Sequence, residues 1–160
     1  MNTQERNILI ESYGQAYNLL TECMAKYPID MWQWKPTPDK WSIHEVIIHI
    51  ADSEANSYIR CRRLIAESGS GVYGYDENKW AKTLDYHSLP IATYLELFRL
   101  LRFTSYELLR TVPDRVWLSA TIEHSESGTI TMEQWLKTYE QHIPIHILQM
   151  QRIYGAWLIR

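Results

Sequence analysis

Cysteine is scarce in this chain, with only Cys23 and Cys61 among its 160 residues. The two lie far apart, form no C-x-x-C pair and fall on apolar helical stripes. We therefore expect two reduced, buried cysteines in a cytoplasmic protein. A redox or metal-ligand role for either thiol is the less favoured alternative.

Concentrated positive charge and long apolar runs are also absent. The net charge is −3, and the densest basic cluster holds only Arg60, Arg62 and Arg63, whereas nucleic-acid-binding proteins normally carry a basic patch. No apolar run approaches the roughly 20 residues that cross a bilayer, and the polar N-terminal segment does not resemble a signal peptide. We expect a small-molecule substrate, and neither a nucleic-acid partner nor a membrane.

No internal repeat, low-complexity segment or Pro/Gly-rich linker divides the chain. Apolar residues make up 46% of the sequence, which argues against disorder. A chain of this length buries roughly 70% of the surface that its unfolded form exposes. The sequence thus predicts one domain, residues 1–160.

The pattern that is present is helical. Apolar residues recur at alternating three- and four-residue steps in four segments. These segments are residues 3–26, a stretch from Ser42, a stretch from near Ser88 with Pro90 in its first turn, and a stretch from Thr131. Without strand alternation, they predict an all-α four-helix bundle.

Helix starts and core stripes can be read from the same segments. Ser42 with Glu45, and Thr131 with Gln134, have the spacing of capping boxes. The predicted core stripe of the first helix is Ile8, Ser12, Ala16, Leu19, Cys23 and Tyr27, and that of the third is Tyr94, Leu97, Leu101, Thr104 and Leu108.

The connections between the helices are long enough to permit crossovers, so simple up-down connectivity is not assured. The Gly-rich stretch ESGSGVYGYDENKW follows the second helix and predicts a loop with a short helical turn over residues 76–82. The polar stretch TIEHSESGTI predicts a loop or a short hairpin.

Histidine carries the functional signal. His142 and His146 are four residues apart in the last helix, which places both rings on one helical face and suits two imidazoles sharing a metal ion. The best third ligand from another helix is His49. Three histidines leave coordination positions open, as catalytic sites do. The alternative is that these histidines lie at the edge of the core and form hydrogen bonds to carbonyl groups instead of binding a metal.

Three stretches resemble the DinB/YfiT-like superfamily of metal-binding four-helix proteins: WSIHEVIIHIADSE, GYDENKWA and TMEQWLKTYEQHIPIHILQM. The most specific part is H-x-x-x-H-x-x-Q, here His142, His146 and Gln149, combined with His49. The resemblance implies that the three histidines bind a divalent metal, nickel or zinc. It also implies an up-down-down-up bundle and a homodimer. Pro144 lies between two of the expected ligands and departs from the family pattern; it should bend the helix near the site.

Other side chains could assist the metal. Asp52 lies three residues after His49 and could accept an imidazole N–H or transfer a proton. Gln149 could orient a ligand or a bound water. Glu45 lies four residues before His49, although its capping role already explains it. The resemblance favours Tyr75 and Asp76 as pocket-wall residues.

The leading hypothesis is a metal-dependent enzyme of the DinB/YfiT type that activates water or a thiol. It would be a hydrolase or a low-molecular-weight-thiol S-transferase, the latter with a thiol as a further cofactor. The alternative is a non-catalytic helical module that binds a metal or a small molecule in a stress response. A fourth protein ligand would favour that alternative. His44, His87 and His124 are left outside the predicted site.

Overall fold

The computed structural model describes residues 1–160. Its helices are α1 (Thr3–Gly14), α2 (Ala16–Met24), α3 (Ile43–Ala66), α4 (Glu77–Thr83), α5 (Ile91–Leu109), α6 (Asp114–Ser119) and α7 (Met132–Leu158). Its strands are β1 (Gly71–Val72), β2 (Thr121–His124) and β3 (Gly128–Thr131), and single 3₁₀ turns span Ile29–Met31 and Tyr86–Ser88.

The long helices α3, α5 and α7, together with the α1–α2 pair, form the predicted four-helix bundle. Helices α3 and α5 pack side by side and run in the same direction. Glu54 pairs with Arg102, and Arg62 further along α3 bonds to Ser105 further along α5. The long connection between α3 and α5, which contains β1 and α4, makes this parallel arrangement possible.

Helix α7 runs against α3 and alongside the first helices. Arg60 of α3 bonds to Tyr139, which lies early in α7, whereas the earlier His49 packs against the later His146. From the N-terminus of the chain, Ser12 bonds to Glu140 and Tyr27 packs on Tyr154. The connectivity is therefore up-down-down-up, as the resemblance implied.

Two predicted helix starts are confirmed and two boundaries are corrected. Ser42 and Thr131 cap α3 and α7 with complete capping boxes. The first predicted helix is two helices that meet at Gln15, and α5 begins at Ile91 with Pro90 just before it rather than inside its first turn. Both differences are local, because helix ends depend on cap geometry more than on periodicity.

A small sheet was not predicted as such. Strands β2 and β3 form the short antiparallel hairpin that was one of two expectations for TIEHSESGTI, and β1 adds to β2 in parallel. With two to four residues each, the strands are too short to produce a readable alternation.

The predicted core stripes were partly wrong. Ile8, Leu19 and Leu97 are 62%, 42% and 39% exposed. Ala16, Cys23 and Tyr27 of the first predicted stripe are buried as expected. The further buried positions are Ile10, Tyr13, Leu20 and Met24 in α1–α2, and those of α5 are Phe98, Arg102, Ser105 and Leu109. Two of the buried positions in α5 are polar, so apolar periodicity gave the wrong phase for that helix, whereas the first stripe was only partly wrong.

The two cysteines are free and buried, as expected. None of the helices combines the length and the apolar character that a bilayer-spanning segment requires.

Candidate metal centre

Three imidazoles meet where α3 faces the middle of α7. Each ring offers one nitrogen atom as a ligand, and these three atoms lie within 4.8 Å of one another. The rings are those of His49, His142 and His146. The rings of His142 and His146 are nearly perpendicular, at 88°, and their Nε2 atoms are 3.1 Å apart. The structure thus brings together the three histidines that the sequence singled out.

The four-residue spacing on α7 produces this close approach, and α7 continues unbroken through Pro144. The ring of His49 lies 4.9 Å from that of His146 and 5.6 Å from that of His142, between centroids. Helices α3 and α7 therefore supply one and two rings to the cluster, respectively.

Gln149 fixes the tautomer of His146. Its Oε1 lies 2.8 Å from Nδ1 of His146, and an amide oxygen only accepts hydrogen bonds. The proton of the neutral ring therefore resides on Nδ1, and the lone pair resides on Nε2, which faces His142. Such a hydrogen bond typically orients a metal-binding imidazole.

Desolvation favours the neutral form of all three rings. Desolvation lowers the pKa of His49 to about 3, with the nearby His146 as the second cause. Desolvation also lowers the pKa of His146 and holds that of His142 well below its usual range. A neutral imidazole has the free lone pair that metal binding requires.

The donor set fits a borderline divalent ion such as zinc or nickel. Nitrogen ligands at roughly 2.0–2.1 Å around a tetrahedral ion lie about 3.3 Å apart, close to the 3.1 Å between the two Nε2 atoms of α7. Nδ1 of His49 and Nδ1 of His142 are buried without a hydrogen-bond partner. The rings of His49 and His142 are therefore not held by a hydrogen bond at Nδ1, and the three imidazoles could hold one ion.

A polar cleft of about 900 Å³ opens beside the cluster. His146 and Gln149 form part of its wall, and the other lining residues are Lys35, Pro38, Asp39, Lys40, Trp41, Glu45, Glu77, Asn78, Ala81, Lys82, Asp85 and His87. The volume is sufficient for a small organic molecule, which would contact the cluster at His146.

Sequence reasoning missed two cleft residues that touch His49. Glu77, the first residue of α4, places Oε2 4.0 Å from Nε2 of His49, and burial raises the pKa of its carboxyl group. Trp41 packs its ring 4.9 Å from the His49 ring. The only sequence signal for Glu77 was its place in GYDENKWA, where the prediction stopped at its neighbours Tyr75 and Asp76.

The side chain of Asp52 bonds to Tyr86 and not to an imidazole. Its carboxylate accepts a hydrogen bond from the hydroxyl of Tyr86 at 2.5 Å. Burial raises the pKa of Asp52, although the Tyr86 bond opposes that shift. Asp52 does not bond to His49, whose Nδ1 has no partner, so its predicted catalytic role stays a prediction without geometric support.

The other predicted neighbours contact groups outside the histidine cluster. Glu45 closes the capping box of α3 and pairs with Lys35 at 2.9 Å on the cleft wall. Asp76 caps α4 through the backbone N–H of Lys79. The ring of Tyr75 packs 4.5 Å from that of Trp80 and does not line the cleft.

The remaining histidines lie outside the cluster. Nε2 of His44 lies 2.8 Å from the carbonyl oxygen of Leu89. Nδ1 of His124 accepts backbone N–H bonds from Glu126 and Ser127 in the β2–β3 turn. His87 lines the cleft without joining the cluster.

Comparison with known proteins points to one family. The DinB superfamily model matches residues 12–150. The chain is 36% identical over 107 residues to the Oceanobacillus iheyensis protein named "Putative metal-dependent hydrolase OB0782", which covers 67% of this chain and 61% of that protein. It is 29% identical over 113 residues to "Putative metal-dependent hydrolase YfiT" of Bacillus subtilis, covering 71% of this chain and 64% of that one. The alignments thus span less than two thirds of either relative.

A solved structure has the same fold. The chain superposes on Bacillus subtilis YfiT with a TM-score of 0.86 at 23% identity, covering 96% of this chain and 87% of the other. That protein is described as "a probable metal-dependent hydrolase with an unusual four-helix bundle topology". At this identity the likeness concerns the fold alone.

Proposed function

This chain belongs to the DinB superfamily, and we propose that it is a metal-dependent hydrolase of small molecules. His49, His142 and His146 would hold one nickel or zinc ion. The observation that carries this proposal is the convergence of three imidazoles, two of them buried and that of His142 partly buried, beside an open polar cleft. An ion bound there lowers the pKa of water and polarises a carbonyl group.

The chain's own residues have separate tasks in this proposal. Gln149 holds the His146 ring with its Nε2 lone pair directed at the cluster. Glu77 places a carboxylate oxygen beside His49 at the cleft. Burial raises the pKa of the Glu77 carboxyl group, and a raised pKa makes a carboxylate a better proton acceptor. We propose that Glu77 takes the proton that the attacking nucleophile releases.

The same cleft supports a second candidate activity. Its volume of about 900 Å³ lies in the range of ordinary small-molecule sites, and a low-molecular-weight thiol could occupy part of it. S-transfer would use the same three histidines, with the thiol in place of water.

The cluster itself argues against a non-catalytic role in which the metal only braces the helices. It contains three residues and no fourth histidine or cysteine, whereas structural metal sites usually have four protein ligands. A cytoplasmic location and a homodimer belong to the same proposal.

The test is hydrolysis of chromogenic ester and amide substrates, such as 4-nitrophenyl acetate, by protein loaded with zinc or nickel. We expect metal-dependent turnover that His146→Ala abolishes. Glu77→Gln should lower turnover by roughly 10²-fold or more while the protein retains its metal. Glu22→Gln, at an exposed site in α2, is the matched control and should leave turnover unchanged. Equal turnover by wild type and His146→Ala would overturn the proposal.

A further inference from the structure

A fully buried ion pair lies in the bundle interior next to the histidine cluster. Nη2 of Arg102 in α5 donates to Oε2 of Glu54 in α3 at 2.6 Å, and the two side chains are 1% and 0% exposed. Neither residue lines the cleft or belongs to the cluster. The proposed reaction therefore does not use this pair directly.

The ion pair is the centre of a network that touches all parts of the bundle. The hydroxyl of Tyr13 in α1 donates to the other oxygen of Glu54 at 2.7 Å, and the guanidinium of Arg102 lies 3.9 Å from the centre of the Tyr13 ring. Nη1 of Arg102 donates to the backbone carbonyl of Tyr139 in α7 at 3.1 Å. One cation thus connects α1, α3, α5 and α7.

Stability is a weak reason for this arrangement. Removing two charges from water costs several kcal/mol per ion, and well-packed apolar side chains of similar volume are often equally stable or more so. Nε of Arg102 has no hydrogen-bond partner, so the network is not fully satisfied. Unlike apolar side chains, the ion pair provides a directional hydrogen bond to one backbone carbonyl group of α7.

That carbonyl belongs to the residue that precedes the ligand pair by one helical turn. Tyr139 lies three residues before His142, and its ring meets the His142 ring edge-on at 6.1 Å. The hydroxyl of Tyr139 accepts a second bond, from Arg60 of α3 at 2.8 Å. Helix α7 is therefore fixed at Tyr139 from both α5 and α3, immediately before its first histidine.

We propose that Glu54 and Arg102 are positioning residues that set the register of α7 against α3, so that His142 and His146 meet His49. Glu54 lies on the same helix as His49, five residues further along. Arg102 joins that helix to the Tyr139 carbonyl. This inference rests on the proposed function, because it assumes that the cluster binds a metal.

The test is zinc binding by the double variant Glu54→Leu/Arg102→Met, which removes both charges and keeps apolar volume. We expect it to fold with a melting temperature near that of the wild type and to bind Zn²⁺ at least about 10-fold more weakly, as losses around a metal site usually do. Its visible spectrum with Co²⁺ should also differ from that of the wild type, because the ligands would be displaced.

Leu109→Ala is the matched control, since Leu109 is buried on the same helix as Arg102 and its loss should lower the melting temperature with Zn²⁺ affinity retained. Glu54→Gln, which preserves size, replaces the double variant if that variant does not fold. Wild-type affinity and an unchanged Co²⁺ spectrum in the folded variant would overturn this inference and leave the hydrolase proposal intact. A wild-type protein that binds no Zn²⁺ would overturn both.

Discussion

Gln149 and His146 form a hydrogen bond of 2.8 Å between Oε1 and Nδ1, one turn apart on α7. The bond leaves the Nε2 lone pair of His146 facing Nε2 of His142, 3.1 Å away. Because the ring could otherwise rotate or adopt the other tautomer, this single amide prepares the imidazole for a metal ion.

Replacing that amide should weaken metal binding without unfolding the protein. Gln149→Ala is expected to reduce Zn²⁺ affinity by roughly 10–100-fold, measured by isothermal titration calorimetry. Gln151→Ala provides the control, because Gln151 is exposed on the same helix and should bind as the wild type does. Equal affinities for the two variants would show that Gln149 has no orienting role.

Replacing each of two glycines by alanine should change the stability of the protein in opposite directions. A Cβ at Gly14 would lie 2.7 Å from the ring of Tyr106, whose hydroxyl is bonded to Glu11. We expect Gly14→Ala to lower the free energy of unfolding by about 1–3 kcal/mol, the usual cost of overpacking, partly offset by better helix propensity.

Gly155 lies in α7, and within 4 Å a Cβ there would meet nothing beyond its chain neighbours and the backbone of its own helix. Gly155→Ala should therefore raise the free energy of unfolding by up to roughly 1 kcal/mol through helix propensity alone. Urea denaturation of both variants measures the change in the free energy of unfolding and therefore its sign in each case. A stabilised Gly14→Ala protein would mean that α1 and α5 do not approach each other as closely as described.

Local signals made the bundle and the ligand cluster predictable. The capping boxes at Ser42 and Thr131 depend on residues three apart, and the rings of His142 and His146 meet because of helical geometry alone. His49 was the best third candidate in the sequence, but only the family resemblance assigned it as a ligand, since a single histidine gives no indication of the direction in which it faces. The resemblance itself is confirmed by the match over residues 12–150.

Features that depend on long-range packing were not predictable. Glu77 reaches His49 only because the connection after α3 folds back over it, and no spacing rule encodes that return. The phase of α5 was misjudged because Arg102 occupies a core position, where an apolar residue would be expected. Buried charges with distant partners are invisible to patterns based on apolar periodicity.

The central claim is that imidazoles from two helices bind one ion, and calorimetric titration of the metal-free protein with Zn²⁺ tests it most directly. The wild type should bind one equivalent, and His49→Ala should bind at least about 100-fold more weakly even though the α7 pair is intact. His87→Ala, a cleft histidine outside the cluster, should bind as the wild type does. Wild-type affinity in His49→Ala, or no binding by the wild type, would contradict the account.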